Sequence, residues 1–156
     1  LSLVGSEMCI RDRNTSKKFN MVGLLAVELF LTKEDKILIN EVAPRPHNSG
    51  HHTIECCMTS QFDQHIRSIL DLPLGETEIL IPGIMVNLVG ENKVEGNVIY
   101  KNINDIFDIP GVFIHIYGKK NSRLNRKMGH ITIVNRDIEK AIEIGKKIKK
   151  KIKVVS

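Results

Sequence analysis

Two apolar segments separated by five polar residues constrain the fold more than any other feature of this sequence. Leu24–Leu31 and Ile37–Val42 flank the run "TKEDK", a pattern typical of a β-hairpin. Apolar residues occupy both faces of each predicted strand, so we expect the hairpin to be buried on both sides. Such a hairpin also requires neighbouring strands, and the chain supplies none nearby, so an exposed strand edge is expected.

The same hairpin carries one glutamate on each strand. The centre of the turn falls between Glu34 and Asp35, and pairing across a two- or four-residue loop places Glu28 directly opposite Glu41. Like charges so close repel, so either one carboxyl is protonated or both share a cation. A three-residue loop would instead shift the register by one and put the two side chains on opposite faces. Spacing leaves both registers open, and we slightly favour the one that pairs the glutamates around a cation.

The end of the second strand and the loop after it, "NEVAPRPHNSGHH", contain many polar and ionisable side chains. Mg²⁺ prefers oxygen ligands, often one or two carboxylates completed by substrate phosphates, and Asn40 adds an amide beside Glu41. Arg45, His47 and Asn48 follow at once and would hold an anion or a polar substrate. Pro44 and Pro46 stiffen the loop, so those side chains would lose little entropy on binding.

Zinc is an alternative use of the same loop. His47, His51 and His52, with Glu55 or Cys56, are residue types that ligate zinc. The prolines and the glycine, however, prevent one continuous helix from presenting all of them. A capping or hydrogen-bonding role for each single histidine is the structural alternative, and we favour it over zinc.

The remaining pattern predicts a helix, three strands and a closing helix. Apolar residues recur at helical spacing from Thr53 to Leu72. The later elements are predicted at Ile84–Val89, Val112–Tyr117 and Ile131–Val134, followed by a helix from about Asp137. We therefore expect an α+β chain with one domain at residues 19–75 and a second at residues 76–156. Residues 1–18 lack periodicity and are interpreted as a non-native or disordered leader.

Charge and composition narrow the function classes. The net charge is +5, but six lysines lie among the last eleven residues, and without them the net charge would be −1. We interpret these lysines as the solvated face of an amphipathic helix whose apolar stripe is Ile138, Ala141/Ile142, Ile148 and Ile152. No aromatic residues interleave with them for nucleic-acid stacking. No apolar run approaches a membrane span, and three cysteines without a CxxC pair favour a reducing, cytoplasmic setting.

A second basic cluster lies between two predicted strands. The stretch "YGKKNSRLNRKMGH" contains Lys119, Lys120, Arg123, Arg126, Lys127 and His130. This density indicates an anion site, most simply a phosphate held by lysine as a point charge and by arginine as a fork. A solvated basic loop is the structural alternative. The sequence contains no glycine-rich phosphate loop of the P-loop or dinucleotide type.

Two stretches of the sequence resemble a known family. "VELFLTKEDKILINEVAPRPHNSGHHTIECCMTSQFDQHIRSILDLPLG" resembles the late part of the ATP-grasp region of 5-(carboxyamino)imidazole ribonucleotide synthases, and "HIYGKKNSRLNRKMGHITI" is similar to that family's C-terminal domain. The resemblance implies the end of an ATP-grasp fold followed by a small β-rich domain with a C-terminal helix. It also implies an ATP-dependent ligase of purine biosynthesis, which carboxylates 5-aminoimidazole ribonucleotide with bicarbonate through carboxyphosphate.

The resemblance also assigns roles. Glu28 and Glu41 match magnesium ligands, and Asn40 with Glu41 match residues at the ATP phosphates. Arg45 and His47 are the catalytic candidates and, with Asn48, match the loop that lines the bicarbonate and ribonucleotide site. The substrate phosphate would be received by Lys119 and Arg126, helped by Arg123 or Lys127. The implied partners are ATP, bicarbonate and the ribonucleotide, with no nucleic acid and no membrane.

Three departures from the family pattern bear on these roles. His52 stands where the family usually has an aromatic, and Leu124-Asn125 replaces a usual Pro-Gly. The family's N-terminal domain and the first half of its ATP-grasp region are absent, so we expect a C-terminal fragment without synthase activity alone. Another ATP-grasp carboxylase or transformylase of purine metabolism, or a small basic nucleic-acid-binding module, is the alternative. A homodimer of the full-length enzyme is left open.

Overall fold

A computed structural model of the chain describes residues 17–156. Within this range the chain divides into two compact units, one of residues 17–51 and 58–77, the other of residues 52–57 and 78–156. The leader predicted at residues 1–18 lies almost wholly outside the described residues. No helix in the described part of the chain is long and apolar enough to cross a membrane.

The first unit contains the predicted hairpin, but its loop differs from the prediction. Strands β1 (Ala26–Leu31) and β2 (Ile37–Ala43) pair antiparallel. The Thr32 amide donates to the Lys36 carbonyl over 2.9 Å, which closes a three-residue loop. Asp35 takes the left-handed conformation, with φ of 57°, that such loops require at their last position. The prediction of a two- or four-residue loop was therefore wrong.

The expectation that the hairpin is buried on both sides was also wrong for this chain. Only Ile37 and Ala43 are buried in it, whereas the apolar side chains nearest the turn are largely exposed, namely Phe30, Leu31, Leu38 and Ile39. Within the described residues, β1 and β2 pair only with each other. A two-stranded ribbon cannot cover both of its faces, and its exposed edge agrees with the expectation from the sequence.

The single helix predicted from Thr53 to Leu72 is two helices, α1 (Thr53–Cys56) and α2 (Gln61–Ile69). The first helix ends because Cys57 is extended, and Ser60, also extended, accepts a hydrogen bond from the Asp63 amide over 3.2 Å through its side chain. This is an N-cap, which starts a new helix rather than continuing an old one. A short 3₁₀ helix, Asn48–Gly50, precedes α1.

The second unit is built on a three-stranded antiparallel sheet. Its strands are β3 (Gly83–Val89), β6 (Val112–Ile116) and β8 (Lys127–Val134), with β8 in the centre. Two small ribbons pair β4 (Gly96–Asn97) with β7 (Asn121–Ser122), and β5 (Ile99–Lys101) with β9 (Lys153–Val155). A 3₁₀ helix spans Ile103–Ile106. The three predicted strands are confirmed, although β8 begins four residues earlier than expected and takes in the end of the basic stretch.

The closing helix, α3 (Ile138–Lys151), packs on the sheet and completes the core. Its buried residues are Ala141, Gly145 and Ile148, and they meet a cluster that includes Met128, Ile131 and Ile133. A Cβ added to Gly145 would lie 2.3 Å from Ile84 Cδ1, so glycine permits this close approach. Two residues of the predicted apolar stripe differ from the expectation. Ile138 is 38% exposed, and Ile152 is buried but lies just beyond the end of the helix. Most of the lysines of α3 face solvent, as expected.

We predict that Asp137→Ala lowers the free energy of unfolding of the second unit by about 1 kcal/mol. The Asp137 carboxylate accepts hydrogen bonds from the Glu139 and Lys140 amides over 3.1 and 3.4 Å, and alanine cannot replace them. Urea denaturation followed by tyrosine fluorescence measures this, because the chain has no tryptophan and both tyrosines lie in the second unit. Asp108→Ala, at an exposed site, is the control. Equal stability of the two variants would contradict the capping role.

Candidate functional site

A β-bulge places the two hairpin glutamates opposite each other. Leu29 pairs with Ile39, but the next residue along β1, Glu28, pairs with Glu41, so Asn40 is the extra residue on β2. The three-residue loop by itself would have placed Asn40 opposite Glu28. The bulge shifts the register by one and restores the glutamate pair. The predicted pairing is confirmed, but through a bulge rather than through the expected loop.

The bulge gathers polar groups around the pair. The Asn40 side-chain amide donates to Glu28 Oε2 over 3.3 Å. The His47 ring lies between the carboxylates, with Nδ1 3.5 Å from Glu28 Oε1 and Nε2 3.5 Å from Glu41 Oε1. Glu28 and Glu41 keep 39% and 53% of their side chains exposed, whereas His47 keeps 11%. Among the described residues, no lysine or arginine forms an ion pair with either carboxylate.

Gln61 holds His47 in this position, and the sequence did not identify it. This glutamine begins α2 and is only 6% exposed. Its Oε1 accepts from the His47 amide over 2.9 Å, and its Nε2 donates to the His47 carbonyl over 2.8 Å. In addition, His47 Nδ1 lies 2.8 Å from Ser49 Oγ. Both the backbone and the ring of His47 are therefore fixed before any ligand arrives.

The rest of the proline-histidine loop lies against the same helix. Gln61 Nε2 is 2.7 Å from His51 Nδ1, and the His51 ring stacks on Phe62 with centroids 5.4 Å apart. A Cβ on Gly50 would lie 2.5 Å from Gln61 Oε1, so glycine allows the loop to approach. Arg45 is exposed and donates to the Pro46 carbonyl over 3.0 Å. Asn48 begins the 3₁₀ helix and is half-buried.

The structure gives no support to the zinc alternative. Among residues 17–156, no group of three or more histidine, cysteine, aspartate or glutamate side chains is arranged to hold a metal ion. Glu55 is engaged with His115, at 2.6 Å, and His51 with Gln61. Burial raises the pKa of the Cys56 thiol, which opposes the thiolate that zinc needs. His47 and His51 take the hydrogen-bonding roles that we favoured.

The predicted phosphate cluster lies in the second unit and is partly anchored to its own backbone. Lys119 Nζ donates to the Lys127 carbonyl over 2.7 Å and lies 5.7 Å from the centroid of the Tyr117 ring. Arg126 Nη1 donates to the Asn121 carbonyl over 3.0 Å. Lys119 and Arg126 are half-buried, whereas the side chains of Lys120, Arg123 and Lys127 are exposed.

A tight turn at Leu124-Asn125 shapes this cluster. The Arg126 amide donates to the Arg123 carbonyl over 3.1 Å, and Asn125 adopts a left-handed φ of 61°. Asparagine tolerates this conformation better than most residues. The Asn125 amide also donates to the Gly90 carbonyl over 2.9 Å. Asn125 can therefore stand where a glycine would otherwise be required.

Each of the two clusters lies in a part of the chain that matches a known domain family. Residues 9–62 match the ATP-grasp domain family, and residues 83–144 match the phosphoribosylaminoimidazole carboxylase C-terminal domain family. The N5-carboxyaminoimidazole ribonucleotide synthase of Bacillus subtilis is 46% identical over 126 residues, which are 81% of this chain and 32% of that protein. The chain belongs to the N5-carboxyaminoimidazole ribonucleotide synthase family.

Solved structures of other members of this synthase family have the same fold. The crystal structure of the Thermotoga maritima synthetase matches with a TM-score of 0.84 at 52% identity, over 92% of this chain and 40% of that one. An Aspergillus clavatus synthase in complex with ADP and 5-aminoimidazole ribonucleotide matches with a TM-score of 0.67 at 38% identity, over 80% of this chain and 35% of that one. The predicted fold class is confirmed. The chain spans between 22% and 32% of the length of the curated relatives that it matches first.

We predict that Gln61→Ala accelerates hydrogen exchange of the His47 amide by up to about 10-fold, because that amide loses its acceptor. Amide exchange measured by NMR gives the rate at His47 directly. Gln64→Ala is a matched control on the same helix, because Gln64 holds Gly75 through the same two kinds of bond, over 3.0 and 2.6 Å. It should accelerate exchange at Gly75 and leave His47 unchanged. An unchanged His47 rate in Gln61→Ala would contradict the assignment.

Proposed function

We propose that this chain is part of an enzyme that carboxylates 5-aminoimidazole ribonucleotide with bicarbonate and ATP. The products are 5-(carboxyamino)imidazole ribonucleotide, ADP and phosphate, with carboxyphosphate as the intermediate. The observation that carries the proposal is the Glu28–Glu41 pair, which a bulge assembles in an ATP-grasp domain without a lysine or arginine among the described residues to neutralise it. The solved Aspergillus clavatus relative is in complex with ADP and 5-aminoimidazole ribonucleotide, which supports ATP and this ribonucleotide as the substrates.

Magnesium fits the donor set of the hairpin. Glu28 and Glu41 would hold the ion, because Mg²⁺ is usually bound by one or two carboxylates and by phosphate oxygens rather than by an all-protein cage. This explains why the described residues need no third ligating side chain at the pair. When bound, the ion neutralises negative charge on the phosphate groups of ATP during phosphoryl transfer.

Within the first unit the proposal assigns roles to the remaining polar groups. Asn40 and Glu41 would contact the ATP phosphates, and the bulge presents both residues opposite Glu28. His47 would touch the reacting bicarbonate and ribonucleotide, and its backbone and ring are already held by Gln61 and Ser49. Arg45 and Asn48 would add charge and an amide to that binding loop. The exposed Arg45 guanidinium is a donor fork suited to a carboxylate-like anion.

Within the second unit the proposal assigns the basic cluster to the phosphate of the ribonucleotide. Lys119 would act as a point charge and Arg126 as a fork, and both are already held by backbone carbonyls. Arg123 and Lys127, which are more exposed, would assist. Because the two main cations are half-buried, their attraction for phosphate is screened less by solvent than that of surface lysines.

The setting of the reaction is part of the same proposal. We place it in the cytoplasm, with small-molecule substrates and without nucleic acid or membrane as partners. The lysines of α3 then serve to solvate the outer face of the helix. A homodimer of the full-length protein is compatible with the proposal and is not required by it.

We predict that Glu28→Gln and Glu41→Gln each weaken Mn²⁺ binding to this chain at least about 10-fold, because each removes one of two charged ligands. Electron paramagnetic resonance of free Mn²⁺, which serves as a probe for Mg²⁺, measures the affinity. Glu34→Gln removes the same charge from the turn of the same hairpin and should change the affinity less than about 2-fold. If the three substitutions weakened Mn²⁺ binding equally, the loss would reflect the net charge alone, which would contradict a metal site at Glu28 and Glu41.

The reaction itself is tested in a chimera. The aligned region of the Bacillus subtilis relative is replaced by residues 22–156 of this chain, and ADP formation is followed with bicarbonate and the ribonucleotide. We expect turnover that depends on the ribonucleotide and is abolished by Glu41→Gln but not by Glu34→Gln. A folded chimera without turnover, or with turnover that Glu41→Gln does not affect, would refute the proposed function.

A further inference from the structure

A row of polar side chains in the second unit ends at Lys119 and lies outside the roles assigned above. It starts at Glu55 on α1, whose side chain is only 8% exposed. Glu55 Oε1 lies 2.6 Å from His115 Nε2 on β6. This is a short hydrogen bond between a carboxyl group and an imidazole ring.

The next step in the row is a stack of two imidazole rings. His115 and His130 are direct partners across β6 and β8, and their rings lie 4.4 Å apart with 12° between their planes. His130 is only 2% exposed. The stack therefore carries the row from the partly exposed ring of His115 to a ring that is almost wholly buried.

The row then passes from His130 to the phosphate cluster. The Tyr117 hydroxyl lies 2.9 Å from His130 Nδ1, which fixes the phenol ring at its far end. The Lys119 ammonium lies 5.7 Å from the centroid of that ring, within the range of a cation–π contact. The remaining tether of Lys119 is its bond to the Lys127 carbonyl. Two contacts, one from the row and one from the backbone, thus define where this lysine points.

Stability alone does not account for such a row. Glu55 Oε2 is buried without a hydrogen-bond partner among the described residues, so the carboxylate is only half satisfied. A partly satisfied buried network is usually less stable than well-packed apolar side chains of similar volume. The row therefore costs stability, and it ends in contact with Lys119, the side chain assigned to the phosphate.

We infer that Glu55, His115, His130 and Tyr117 are positioning residues that hold Lys119 for the phosphate of the substrate. The inference rests on the proposed function, which assigns Lys119 to that phosphate. None of the four residues contacts the phosphate itself. They act through the orientation of the Tyr117 ring, and thereby through the site of the Lys119 ammonium.

NMR titration of the chain with ribose 5-phosphate, and with ribose as the ligand without phosphate, tests the inference. Tyr117→Phe keeps the ring but removes the hydroxyl that fixes it, and should weaken ribose 5-phosphate binding about 5-fold without affecting ribose. Glu55→Gln removes the charge at the start of the row and should act in the same direction. Tyr100→Phe is the matched control, because its hydroxyl donates to the Met128 carbonyl in the same unit but not to the row.

A double-mutant cycle separates positioning from a general structural effect. If Tyr117 acts through Lys119, Tyr117→Phe has no further effect on ribose 5-phosphate binding once Lys119→Ala is present, whereas independent effects add. Additive losses, or a Tyr117→Phe variant that binds like Tyr100→Phe, would overturn the inference and leave the proposed function intact. If the unsubstituted chain does not prefer ribose 5-phosphate to ribose, the proposed phosphate site fails as well. The amide spectrum of each variant verifies its fold.

Discussion

The glutamate pair depends on one extra residue in a short strand. Asn40 bulges β2 so that Glu28 faces Glu41, and without it the three-residue loop would set a different register. Two carboxylates held face to face repel unless a cation lies between them. Among the described residues, the His47 ring lies 3.5 Å from an oxygen of each carboxylate. Under the proposed function, the bulge creates the pair of carboxylates that would hold a divalent cation.

The two clusters share a construction principle. Each places the charged group that would meet a ligand on a support that has no role in the chemistry. In the first unit the support is the Gln61 side chain, which holds both the amide and the carbonyl of His47. In the second unit it is the backbone at Lys127 and the ring of Tyr117, which hold Lys119. Such prior fixing lowers the entropy that binding must overcome and keeps the geometry during reaction.

The features that could be predicted from the sequence are those that depend on the pattern of neighbouring residues. Short apolar runs bounded by polar turn residues located the hairpin and the three strands of the sheet, and the closing helix followed from its apolar stripe and from Asp137 at its start. The loop type was missed because Asp35, and not glycine, takes the left-handed position. The break before α2 was missed although Ser60 is a capping residue, because the apolar spacing continues across it. Gln61 and the His115–His130 stack join segments far apart in sequence, and no local pattern marks such contacts.

The central claim is that Glu28 and Glu41 share one divalent cation, and the broadening of backbone NMR signals by bound Mn²⁺ tests it most directly. The account predicts that the amide signals of Glu28, Glu41 and His47 broaden first, at a small fraction of one equivalent. Signals at the hairpin turn, such as that of Glu34, lie farther along the strands and should broaden only later. First broadening at the turn, or at the exposed carboxylates of α3, would contradict the account.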